Sequence, residues 1–143
     1  MTPSSHAAAL PTLLLISNCL PCHRTYKVAL ERDFLIVSAT RADEGFRRAT
    51  EIRPDAIVLD TTMPGLSGWE TCARLKAADV TADIPVLLLT SGDADLSVHA
   101  MAVGASAYLR KPCSAEALKQ AVVAELSSAT PRQASRSSAL RRG

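Results

Sequence analysis

Asp60 closes an unbroken apolar run, Ala56-Ile57-Val58-Leu59, and is followed by a Met63-Pro64-Gly65 turn and a second glycine, Gly68. A carboxylate in that place can act as a nucleophile toward phosphorus and form an acyl phosphate. Three other apolar runs end in groups that would serve it. Leu13-Leu14-Leu15-Ile16 ends in Ser17-Asn18, the run from Ile84 to Leu89 ends in Thr90-Ser91, and the run from Ala107 to Arg110 ends in Lys111. Thr90 can donate a hydrogen bond to a phosphoryl oxygen. Lys111 can pair with the carboxylate, and with the phosphoryl group once it is there. Singly, each has a plain structural use: Asp60 as a helper of the next loop, Thr90 as a turn residue, Lys111 as a surface cation. Together, each at the end of an apolar run, they point to one small anion-handling pocket.

The elements that must position them follow from the same runs. Four or more consecutive apolar residues read as strands buried on both faces of a parallel sheet. Between the runs lie amphipathic segments. Pro21 fits the first turn of a helix running to about Arg32, with Tyr26, Ala29 and Leu30 inward. Phe34 to Ser38 reads as a second strand. Thr40 is the expected N-cap of a helix through Ile52, with Ala42, Phe46, Ala49 and Ile52 on one face. Gly68 opens a third helix, with Trp69, Cys72, Ala73 and Leu75 inward. Asp93 or Asp95 starts a fourth, for which Gly104 is the C′ residue. Ser114 caps a fifth through about Leu126. Five strand–helix pairs in strict alternation predict an α/β fold, a single doubly wound five-stranded parallel sheet with right-handed crossovers. Its functional crevice lies above the carboxyl ends of the strands. Lys111-Pro112 is also a natural place for a cis peptide that aims the lysine inward.

Bulk properties exclude several function classes. The chain has 143 residues, enough for one domain with a real core. Aromatic residues make up 3%, which argues against a base-stacking surface for single-stranded nucleic acid. The net charge of +2 is unevenly placed, because residues 129–143 hold four arginines and no acid, leaving the rest mildly acidic. The tail reads as a disordered, solvated segment. No run reaches the roughly 18 apolar residues of a membrane span. The N-terminus has no basic n-region and its apolar stretch is broken by proline, against a signal peptide. These readings place the chain in the cytoplasm, with its four cysteines as reduced thiols.

Cys19-Leu20-Pro21-Cys22-His23 spells CxxCH, the attachment pattern for c-type haem, but haem attachment belongs to exported proteins. A redox dithiol of Cys19 and Cys22 at a helix N-terminus is the second reading. The plain one packs Cys22 under the first helix and leaves Cys19 at the pocket rim. Cys72 and Cys113 read as small apolar residues. His6, His23 and His99 make no metal-ligand set with the cysteines, so no metal site is expected.

The pieces LLLI, PDAIVLDTTMPGLSGWE, IPVLLLTS and AVGASAYLRKP span nearly all of residues 12–126. In combination they resemble the response-regulator receiver domains of two-component signalling. The resemblance implies a sheet in the order 2-1-3-4-5, flavodoxin- or receiver-like, and no enzyme activity. It implies Asp60 as phosphoacceptor, Thr90 as the hydroxyl that follows the phosphoryl group, Lys111 as its ion-pair partner and Tyr108 as the switch aromatic. The organisation is then a flexible leader (1–11), a receiver domain (12–127) and a basic tail (128–143). Partners implied are a histidine kinase or phosphotransfer protein, and a downstream protein or second copy meeting the face of helix 4, strand 5 and helix 5. Val98, Met101, Arg110 and Lys119 are placed on or near that face. With no DNA-binding or output domain expected after Leu126, signal output runs through such contacts.

One departure stands out. Receivers of this kind carry two adjacent acids after the first strand, which hold Mg²⁺ with the phosphoacceptor and a backbone carbonyl, here that of Thr62. Ser17 and Asn18 occupy the acidic positions. Mg²⁺ takes hard, charged oxygen ligands, so weak or absent Mg²⁺ binding, impaired phosphorylation and a standing Lys111–Asp60 pair are expected. A phosphorylation-independent pseudo-receiver is the alternative.

Overall fold

The computed structural model describes residues 10–62, 67–91, 97–111 and 113–127. Five strands form one sheet: β1 (Thr12–Ile16), β2 (Leu35–Ala39), β3 (Ala56–Asp60), β4 (Val86–Thr90) and β5 (Ala107–Arg110). All neighbours are parallel and the order is β2-β1-β3-β4-β5. The helices are α1 (Leu20–Leu30), α2 (Ala42–Ile52), α3 (Gly68–Ala77), α4 (Ser97–Ala102) and α5 (115–127). Among the described residues no helix is long and apolar enough to cross a membrane.

Alternation of side chains along each strand explains the unbroken apolar runs. Leu14, Ile16, Ile57, Leu59 and Leu88 face one layer, packed with Ala42, Ala49, Cys72, Leu75 and Ala100 from α2, α3 and α4. Leu13, Leu15, Val58, Leu87 and Leu89 face the other, packed with Tyr26, Leu30, Leu118 and Val122 from α1 and α5. Every residue of β3 and β4 is buried, so neither face could carry a polar stripe. The edge strands β2 and β5 are only partly covered.

Helix starts follow local chemistry. α3 opens with a capping box in which Ser67 and Glu70 satisfy each other's backbone N–H. For α2, the expected cap at Thr40 is replaced by Arg41 in extended conformation with no side-chain cap. First-turn acids serve the donors there: Asp43 Oδ1 accepts from the Glu44 N–H at 2.8 Å, and Glu44 reaches back to accept from the Thr40 N–H at 3.2 Å. Gly104 has φ of 84° and ends α4's turn, as expected of a C′ glycine. Ala29, Ile52 and Ala73, expected inward, are exposed: Ala29 and Ala73 each stand one residue from a buried position, and Ile52 is the last residue of its helix. The proposed helix starts at Asp93 or Asp95, the Met63-Pro64-Gly65 turn, Pro112, and the leader and tail save Leu10 and Pro11 lie outside the described residues.

Candidate functional site

β3 delivers Asp60 to the carboxyl edge of the sheet, between the tips of β1 and β4. Both of its oxygens are occupied. Oδ1 accepts from the Thr62 N–H at 2.9 Å, the Thr62 hydroxyl at 2.7 Å and Lys111 Nζ at 2.9 Å. Oδ2 accepts from the Ser17 hydroxyl and from Lys111 Nζ, each at 3.0 Å. Lys111 Nζ also donates to Thr62 Oγ1 at 3.0 Å, closing the ring. The Asp60 side chain is 3% exposed and that of Lys111 27%. Burial by itself would raise the Asp60 pKa, but the Thr62 amide and hydroxyl and the Lys111 ammonium together hold it below the ordinary carboxylate value. The group is ionised at neutral pH.

Each donor is held from behind. The Lys111 N–H donates to the Thr90 carbonyl at 2.6 Å, continuing the β4–β5 ladder past its last residue pair and aiming the lysine at β3. Thr61 N–H and Oγ1 donate to the Leu89 carbonyl at 2.9 and 3.1 Å, pinning the tip of β3 to β4. Ser17 accepts from the Cys19 N–H at 3.1 Å, which leaves its own proton for Asp60. His23 Nε2 hydrogen-bonds the Ser17 carbonyl.

Gly68 has a steric duty here. A Cβ at that position would lie 2.4 Å from the Asp60 carbonyl oxygen and 2.5 Å from Thr61 Cα. Backbone cannot yield as a flexible side chain can. Gly68→Ala is therefore expected to lower stability by about 2 kcal/mol and to shift the Asp60 and Thr62 amide resonances. Urea unfolding and a ¹H–¹⁵N spectrum check this.

The other residues singled out from sequence are less centrally placed. Thr90 is fully buried, and its hydroxyl donates to the Leu109 carbonyl at 3.4 Å. Tyr108 is half-buried and packs with Val103 and Ala105 against the layer of α2, α3 and α4. Asn18 is exposed. Val98 and Met101 are exposed on α4, but Lys119 turns the other way and pairs with Asp33 beyond α1 at 2.9 Å, so it does not belong with them. The cysteine expectation is corrected as well: Cys19 and Cys22 are joined in a disulfide, while Cys72 and Cys113 are free. Burial pushes the Cys72 thiol up to about 11, as befits a core residue.

Two contacts were missed. Thr62 enters through its side chain and N–H, although sequence suggested only its carbonyl. A carboxylate accepting from the N–H two residues on is an Asx turn, which the Asp-x-Thr spacing could have revealed. Ser17 lacks the charge of the acid it replaces, yet its hydroxyl is a donor to Asp60.

The donor set does not fit Mg²⁺. One carboxylate is present, both of its oxygens are saturated by donors, and an ammonium sits on them. Among the described residues no three His, Cys, Asp or Glu side chains are grouped to hold a metal.

The comparisons with known proteins agree with this architecture. The response regulator receiver domain family matches residues 22–123. The chain is 34% identical over 105 residues to the phosphate regulon transcriptional regulatory protein PhoB of Pseudomonas aeruginosa, covering 72% of this chain and 46% of that protein. It is 32% identical over 119 residues to the transcriptional regulatory protein AfsQ1 of Streptomyces coelicolor, covering 82% and 52%. It thus spans about half the length of these relatives. A response regulator receiver domain protein of Clostridium thermocellum superposes with a TM-score of 0.77 at 32% identity, covering 85% of this chain and 98% of that one. The chain belongs to the response regulator receiver domain family of two-component signalling, a family of signalling modules.

Proposed function

We propose that the chain is an atypical receiver in which Asp60 is the phosphoacceptor and transfer is slow and nearly independent of Mg²⁺. An Asp60 oxygen attacks the phosphorus of a phosphohistidine on a histidine kinase or phosphotransfer protein. The P–N bond breaks, the imidazole leaves, and an acyl phosphate forms. Lys111 and Thr90 then bond the phosphoryl oxygens, Tyr108 responds on the edge strand β5, and a downstream protein docks on the face that carries the exposed Val98 and Met101. The observation that carries this reading is the closed set of donors on Asp60, with Ser17 in place of an acid. Lys111 neutralises the carboxylate in the resting state, and a donor on the attacking oxygen must release a lone pair before attack, which raises the barrier.

The same closure favours a second reading, a module that binds partners without being phosphorylated. Acetyl phosphate with and without Mg²⁺, followed by intact mass, separates the two. Slow labelling little changed by the metal, and absent in Asp60→Asn, is expected. No labelling of the wild type at any metal concentration selects the second reading. Rapid labelling that requires Mg²⁺, or labelling retained in Asp60→Asn, overturns the first.

A further inference from the structure

The CxxC pair is not used by the phosphoryl chemistry, yet it stands against the site. Cys19 is the N-cap of α1, and its sulfur accepts from the Cys22 N–H at 3.2 Å. The two Cα atoms lie 5.2 Å apart, within the span a disulfide bridges. Both residues are partly exposed, so small reagents reach them. Behind them the Cys19 N–H donates to Ser17 Oγ, and Ser17 Oγ donates to Asp60 Oδ2. Two hydrogen bonds therefore separate the bridged turn from the carboxylate. The His23 ring, nine-tenths buried with Nε2 on the Ser17 carbonyl, has no partner for Nδ1 among the described residues. The turn is thus tied to Ser17 from its side chain and its carbonyl.

We infer that Cys19 and Cys22 form a reversible thiol–disulfide site for low-molecular-weight disulfides, and that its redox state is passed through Ser17 to the Asp60 carboxylate.

The step balances with a disulfide such as oxidised glutathione as the oxidant. The Cys19 thiolate, stabilised at the helix N-terminus by the Cys22 N–H, attacks one sulfur of glutathione disulfide. That S–S bond breaks and one glutathione thiolate leaves. The Cys22 thiolate then attacks Cys19 Sγ in the mixed disulfide and expels the second. Two electrons pass to glutathione, and its two thiolates take up the two protons released by the cysteines. The new bridge closes a ring around the first turn of α1 and fixes the Cys19 N–H on Ser17. Reduction opens the ring and loosens that hydrogen bond, and with it the direction of the Ser17 proton. A cytoplasmic setting is compatible with such a site, since its resting form there would be the dithiol and the bridge would mark oxidation.

The test uses the full chain and no phosphodonor, so a failure of Asp60 to take a phosphoryl group does not enter it. The ¹⁵N-labelled protein is equilibrated over a range of reduced-to-oxidised glutathione ratios, then alkylated under denaturing conditions and weighed. The expected result is a transition from four alkylated thiols to two, reversible with ratio, with Cys19 and Cys22 joined in the peptide map. Across the same transition the Ser17, Asp60 and Lys111 amide signals are expected to be replaced by a second set. Cys19→Ser retains an N-cap hydroxyl and so a folded helix. It is expected to stay in one set at every ratio. Four free thiols at all ratios, a bridge that glutathione never opens in the folded protein, or a reversible bridge that leaves the Ser17 and Asp60 signals unmoved would overturn the inference.

Discussion

Ser17→Asp combined with Asn18→Asp is expected to make the fold depend on Mg²⁺ and to speed labelling of Asp60 by acetyl phosphate about a hundredfold in its presence. Ser17 is buried and touches Asp60 Oδ2. A carboxylate there faces a second carboxylate at hydrogen-bond distance, with one ammonium between them. Like charges so close cannot both ionise freely, so without metal the Asp60 pKa rises and stability falls by about 2 kcal/mol. A divalent cation reverses the sign, since three carboxylate ligands now meet its demand for hard, charged oxygen. Binding to the folded state alone then adds stability with metal concentration. The rate gain is the size that one well-placed electrostatic stabiliser carries in other active sites. Thermal melts with and without Mg²⁺, paired with labelling followed by mass, read both halves. A double variant whose melting temperature ignores Mg²⁺ shows that the site lacks room or geometry for the ion, whatever its charge.

The interior of this fold was legible because both faces of β1, β3 and β4 are covered. A run such as Ala56 to Leu59 has no alternative use, and the carboxylate that ends it can only emerge at the sheet's edge. Register carries the site the rest of the way. Asp60 pairs with Leu89 and Leu89 with Leu109, so the tips of β3, β4 and β5 lie side by side and Lys111 stands two residues beyond Asp60's height. What sequence could not decide was settled by short-range competition. Thr40 is not the cap of α2: the helix starts one residue later, where Asp43 accepts from the Glu44 N–H and Glu44 reaches back to the Thr40 N–H. Ile52 ends its helix, where apolar character does not ensure a cover. Compartment bears on the thiol state but does not act on two sulfurs placed on one helical turn, which are bridged here. Ser17 was read by what it lacks, a charge, although a hydroxyl of that reach opposite a buried carboxylate has an obvious partner once β1 and β3 are neighbours.

Lys111→Met is expected to destabilise the protein by about 2 kcal/mol at neutral pH and to do so less as the solution is acidified. Removing one member of a buried ion pair leaves an uncompensated charge, an effect of about 3–5 kcal/mol when both partners are fully enclosed. Here Lys111 is partly exposed and Asp60 keeps the Thr62 N–H, the Thr62 hydroxyl and the Ser17 hydroxyl, so the smaller figure holds. The pH dependence follows from the direction of the Asp60 shift. Its folded pKa lies below the unfolded carboxylate value of about 3.9. The ionised form therefore contributes stability that is complete above that value and lost as pH falls through the lower, folded one. Without Lys111 the folded pKa moves up, the carboxyl protonates sooner, and a neutral carboxyl no longer needs the ammonium. The gap between wild type and Lys111→Met closes across the carboxylate range. Asp60→Asn removes the charge at every pH, so Asp60→Asn combined with Lys111→Met is expected to cost less than the sum of the two, with a coupling of about 1–2 kcal/mol. Urea denaturation of the four proteins at neutral pH and near pH 4 measures it. Strict additivity at neutral pH would mean that the ammonium and the carboxylate do not stabilise each other, and the resting state proposed for this receiver would have to be given up.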